Sequence, residues 1–111
     1  MTNDRPLRIA SLLKDEISFE LVRNLDASKF GLVSITAVEV NPKLTVAKVF
    51  VHSSKKNGEL VKAIERTTHS WVKSVQKRLT LRRCPQFVFM IDQSVRYVDH
   101  IDELLREIKK K

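Results

Sequence analysis

Between residues 32 and 53, two runs dense in Val, Ile, Thr and Phe, LVSITAVEV and LTVAKVFVHS, are parted only by Asn41-Pro42-Lys43. No other feature limits the possible folds as strongly. β-branched and aromatic residues suit a pleated, half-buried surface, and Asn-Pro is turn chemistry, so the pair predicts a β-hairpin. Successive side chains alternate between faces, which puts Ala47, Val49 and Val51 on one face and Lys48 and Phe50 on the other. One face is core and the opposite one is at least partly polar. A lone hairpin is marginal in water, so the flanking segments must cover it.

Those segments carry helical spacing. From about Arg5 to Leu25, the residues Ile9, Leu13, Ile17, Leu21 and Leu25 recur every four positions, and Leu12 and Phe19 are expected to widen the stripe. Asp4 can cap this helix, and Pro6 sits in the first turn, where its missing N–H costs nothing. Gly31 releases the chain into the first strand, and Lys55-Lys56-Asn57-Gly58 reads as a loop. From Glu59 to Leu81, Ile64, Trp71, Val75 and Leu79 again fit a helix. Thr67, Thr68, His69 and Ser70 are modest helix formers, and Thr or Ser can cap a restarting helix, so two helices joined by a tight kink in 67–70 are expected. Pro85 ends that unit, and QFVFMID reads as a third strand with Phe87, Phe89 and Ile91 on one face. A last helix is expected from near Asp99, burying Ile101, Leu104, Leu105 and Ile108, with Lys109 to Lys111 suiting its dipole.

The expected order is α-β-β-α-α-β-α. A helical crossover between the second and third strands lays them parallel. This makes an α+β domain with a three-stranded mixed sheet packed against helices, and at 111 residues the chain, 1–111, is expected to be one domain.

Little in the sequence points to catalysis. The histidines, at 52, 69 and 100, have no metal-ligand spacing, there is no CxxC, and both glycines are isolated. The single cysteine, Cys84, permits no internal disulfide and reads as a buried thiol before Pro85. Neither a catalytic residue nor a metal or other cofactor is expected. No apolar run approaches the roughly 20 residues of a bilayer span, so no membrane partner is expected, and the lone cysteine makes a cytoplasmic location the simplest reading.

Charge is the positive signal. The net charge is +8, yet residues 1–26 carry four basic side chains against five acids, and residues 99–111 balance four against four. Lys62, Arg66, Lys73, Lys77, Arg78, Arg82 and Arg83 stand against Glu65 alone, so 62–83 contributes +6. On one continuous helix Lys62, Arg66, His69, Lys73 and Lys77 would form a single stripe opposite the apolar one. Such a stripe is either a solvated face or one that tracks phosphates without reading bases. Trp71 could stack on a base, but its spacing with Val75 and Leu79 places it in the core.

A helix–kink–helix preceded by a hairpin and followed by a strand resembles a type II KH domain. Detail narrows the resemblance to the bacterial ribosome-binding factor A family. Arg5, Arg8, Ile9, Glu16 and Ile17 fit its RPxRIxxxxxxEI, and Val38, Glu39, Leu44, Ala47, Lys48, Val49, Phe50 and Val51 fit VExxxxLxxAKVYV. Leu81, Arg82, Pro85, Phe89, Asp92 and Ser94 fit LRxxPxxxFxxDxS. The sequence departs from the pattern where the family has a small-residue AxG break between the paired helices: here stand Thr67-Thr68-His69 or Thr68-His69-Ser70, without glycine.

The resemblance implies a non-catalytic, cytoplasmic factor. It would bind the small (30S) ribosomal subunit during late assembly, with maturation of 16S rRNA and growth in the cold as its setting. On this reading Arg66, Lys73, Lys77 and Arg78 contact phosphate, Lys62, His69, Arg82 and Arg83 assist, and the chain acts as a monomer. Two alternatives stay open at this point: an adaptor whose basic face meets an acidic protein surface, and a general single-stranded RNA-binding KH module.

Overall fold

A computed structural model describes residues 5–92. Asp4, Ser94 and the helix expected over 99–111 lie outside the described residues. Within them the order is α1 (Arg5–Asn24), α2 (Ala27–Phe30), β1 (Val33–Val40), β2 (Val46–Ser53), α3 (Leu60–Arg78) and β3 (Gln86–Ile91). The strands lie in the order β1-β2-β3; β1 and β2 are antiparallel, and β2 and β3 are parallel across the α3 crossover. The mixed sheet and the hairpin are as the sequence predicts.

Register follows from alternation. Val38, Val49 and Phe89 line up across the three strands. Ala47, Val49 and Val51 are fully buried, while Lys48 is exposed. The hairpin turn is held by Asn41, whose Oδ1 accepts from the amides of Thr45 (2.8 Å) and Val46 (2.9 Å). A bulge between Ile35 and Ala37 leaves Thr36 outside the ladder, where its hydroxyl bonds to the Asp92 carboxylate. The core joins this sheet face to Leu13, Ile17 and Leu21 of α1 and to Leu60, Ile64, Trp71 and Val75 of α3.

Three sequence expectations need correction. Leu12 and Phe19 do not widen the buried stripe of α1: they are 43% and 58% exposed. At about 100° per residue they lie roughly 120–140° from the centre of the Ile9–Leu13–Ile17–Leu21 line, beyond what the sheet and α3 cover. Secondly, a short helix, α2, which the sequence pattern did not suggest, is capped by Asp26, whose carboxylate accepts from Ser28 N (2.9 Å).

The third correction concerns the pair of helices joined at 67–70: α3 runs unbroken through Thr67, Thr68, His69 and Ser70. Their hydroxyls do not cap a restarting helix. Thr67 and Thr68 donate to the Ile64 carbonyl (2.7 and 3.1 Å) and Ser70 to that of Thr67 (2.7 Å), satisfying themselves on the preceding turn. Leu60, Ile64, Trp71 and Val75 stay in one helical phase across the stretch, so burying them requires a single helix. α3 ends well before Pro85. Thr80 takes a left-handed conformation (φ 51°), and Leu81 N bonds to Gln76 O while Thr80 N bonds to Lys77 O, the pair of contacts that closes a Schellman turn.

Candidate nucleic-acid interface

Because α3 is continuous, the basic residues acquire fixed positions. Lys62, Arg66, His69, Lys73 and Lys77 are all exposed, and helical rotation sets them within roughly 80° of one another, opposite buried Ile64, Trp71 and Val75. From Lys62 to Lys77 the row is roughly 22 Å long at 1.5 Å per residue. Among the described residues no carboxylate lies within ion-pair range of Lys62, Arg66, Lys73 or Lys77. The structure therefore brings together five of the eight expected RNA-binding residues.

Arg78 leaves the row. It sits roughly 140° round the helix from the row's centre, on the side facing α1, and its Nε lies 2.9 Å from Glu16 Oε2. Its Nη2 donates to Glu20 Oε1 at 3.0 Å. Glu20 is the one buried charged residue among the described residues, and Asn24 Nδ2 reaches its other carboxylate oxygen at 3.3 Å. The Glu20 hydrogen bond, together with the charge of both glutamates, raises the guanidinium pKa further above its ordinary value. Arg78 is thus an interhelical tie, not a free phosphate contact. Its helical angle carried this signal; what the sequence lacked was the placement of Glu20 opposite. Arg82 and Arg83 lie past the Schellman turn, exposed but off α3.

Trp71 does not present a stacking surface. It is 2% exposed, donates from Nε1 to Thr67 Oγ1 (3.1 Å) and packs at 5.7 Å against the Phe87 ring. Cys84 is half-buried, and desolvation pushes its thiol pKa up, which disfavours the nucleophilic thiolate. Among the described residues no group of three His, Cys, Asp or Glu could hold a metal ion, and no helix is long and apolar enough to cross a membrane. Chemically, the face offers point charges on long side chains along a rigid rod. Apart from the His69 imidazole it has no exposed ring for bases, and it has no glycine break where backbone could approach a ligand closely.

Comparison with known proteins gives the relatives of this chain. The family model for ribosome-binding factor A matches residues 5–105. The ribosome-binding factor A of Brevibacillus brevis is 34% identical over 111 residues, covering 97% of this chain and 92% of that one. That of Halothermothrix orenii is 33% identical over 113 residues, covering 99% and 93%. The crystal structure of ribosome-binding factor A from Thermus thermophilus superposes with a TM-score of 0.69 at 21% identity, over 78% of this chain and 93% of that chain. A homology model of the Thermus thermophilus protein, as fitted into the cryo-EM map of a 30S complex, gives 0.66 at 21% identity, over 76% and 91%. The two likenesses show a shared fold.

Proposed function

The chain belongs to the ribosome-binding factor A family, and from that premise we propose that it binds the small ribosomal subunit as a non-catalytic assembly factor. The finer reading is late maturation of the subunit and of its 16S rRNA in the cytoplasm, with the protein acting as a monomer. One observation carries the proposal: the row Lys62, Arg66, His69, Lys73 and Lys77 is exposed along one unbroken helix, and its lysines and arginine are unpaired among the described residues. Cations so placed neutralise phosphates and release counterions. Because α3 has no glycine and no break, side chains rather than backbone amides make the contact. KH modules that clamp single strands do so through a glycine-rich loop, so the general single-strand module is the weaker reading.

The experiment is co-sedimentation with purified small subunits at increasing salt. Contact with about four to six phosphates gives a log–log slope of roughly 0.7 to 0.9 per phosphate. A flat salt response, or equal pelleting with assembled ribosomes, would overturn the proposal. The flat response would favour an adaptor that meets an acidic protein surface.

A further inference from the structure

A second group of lysines lies beyond the N-terminal end of α3. The turn after β2 is stapled to the start of β1: Leu32 N donates to Ser54 Oγ at 2.8 Å, and Ser54 N donates to Leu32 O at 3.0 Å. Lys55 N donates to Phe30 O at 3.3 Å. The approach is close enough to require glycine at position 31, since Gly31 has φ 67° and a side-chain carbon there would collide with Ser54 Oγ. The result is that Lys55 Nζ rests on the Ser28 carbonyl (3.0 Å), one residue from Lys29, with Lys56 following at once. Lys29, Lys55 and Lys56 are exposed. The nearby carboxylate, Asp26, accepts from the amide and hydroxyl of Ser28 (2.9 and 2.6 Å) as the cap of α2; it also attracts Lys29, and it stands against three lysines. Three cations are thereby gathered at a corner held by main-chain bonds, and Asn57-Gly58-Glu59 leads from it straight into α3, one turn before Lys62.

We propose that this corner, Lys29 with Lys55 and Lys56, is a second phosphate-binding locus that extends the α3 row, so that the RNA footprint continues past the helix N-terminus. This rests on the RNA-binding reading of α3. The physical reason is preorganisation. Main-chain bonds fix the backbone from which Lys29 and Lys55 project, with Lys56 the next residue, so binding orders side chains without also ordering a loop. Glu59 and Glu65 are the only acids between Lys55 and Lys77, against six lysines and arginines (Lys55, Lys56, Lys62, Arg66, Lys73, Lys77), so positive charge outnumbers negative three to one along this stretch. The ligand is the ribose-phosphate backbone of RNA, without base readout.

The test uses the full chain carrying Lys29→Glu with Lys56→Glu. Neither side chain takes part in a hydrogen bond or ion pair of the described fold, so circular dichroism and melting should stay native. Lys29→Gln with Lys56→Gln serves as a milder second variant. Binding to purified small subunits is measured across a salt series beside the α3 variant Lys73→Glu with Lys77→Glu. The expected result is about a tenfold or greater loss of affinity for the Glu pair and a log–log slope lowered by roughly one to two units for either pair, as for the loss of two phosphate contacts. Unchanged affinity and slope in both corner variants, while the α3 variant loses binding, would overturn the second locus and leave the α3 reading standing. Loss in neither set would overturn both.

Discussion

Arg78 on α3 and Glu20 on α1 meet at 3.0 Å, and this contact joins the two helices where Glu20 is otherwise buried in the core face of α1. A buried carboxylate deprived of its partner is strongly disfavoured, whereas replacing both members by neutral groups is often close to neutral. Arg78→Gln should therefore lower the melting temperature clearly, and adding Glu20→Gln should recover most of the loss. Thermal melts of the two single variants and the double variant close the cycle. Small-subunit binding by the folded Arg78→Gln protein should stay near that of the parent. A binding loss as large as that of Lys73→Glu would show instead that Arg78 touches RNA.

Trp71 is the single tryptophan and its Nε1–H is spent on Thr67. Thr67→Val keeps the shape and removes the acceptor, leaving a buried donor unpaired at a cost of about 1–3 kcal/mol. Chemical denaturation measures the cost. In the parent, tryptophan emission should be blue-shifted, shielded from iodide and unchanged on adding rRNA. A base stacked on Trp71 would quench it.

Val49 has no exposed surface and sits between Val38 and Phe89 in the register. Val49→Ala should cost about 1–3 kcal/mol, at the lower end of buried truncations because few methyl groups are lost. Exposed Lys48→Ala on the same strand should be nearly silent. Equal melting of the two variants would contradict the register.

Arg66→Glu, Lys73→Glu and Lys77→Glu combined should leave circular dichroism native, because exposed charges contribute weakly to stability. Each reversal removes an attraction to phosphate and adds a repulsion, so co-sedimentation with small subunits should fall by about a hundredfold or more. Reversal of Lys14 and Arg23, both exposed on α1, is the matching control and should leave binding nearly intact. Equal binding by the two variants would mean that the α3 row is only a solvated face.

How much of this could be read from the chain alone depends on the range of the interaction. Period-two alternation in Ala47, Val49 and Val51 and four-residue spacing in Ile9, Leu13, Ile17 and Leu21 are local signals. They were enough for the hairpin, for α1, for the parallel third strand through its crossover, and for the exposed cation row. Family motifs spread along the chain carried the same information. The break expected at Thr67 to Ser70 failed for a physical reason: local propensity is weak, and the common phase of Leu60, Ile64, Trp71 and Val75 against the sheet outweighs it. Tertiary packing alone decided how wide the buried stripe of α1 is, leaving Leu12 and Phe19 outside it, since covering a helix face depends on its neighbours. It also decided that Arg78 belongs to Glu20, 58 residues away, and that Lys55 reaches the carbonyl of Ser28, the residue before Lys29. Composition and spacing determine which residues are charged and which face of an element they occupy. Which of those charges already have a partner is a property of the folded chain, because the partner comes from another element.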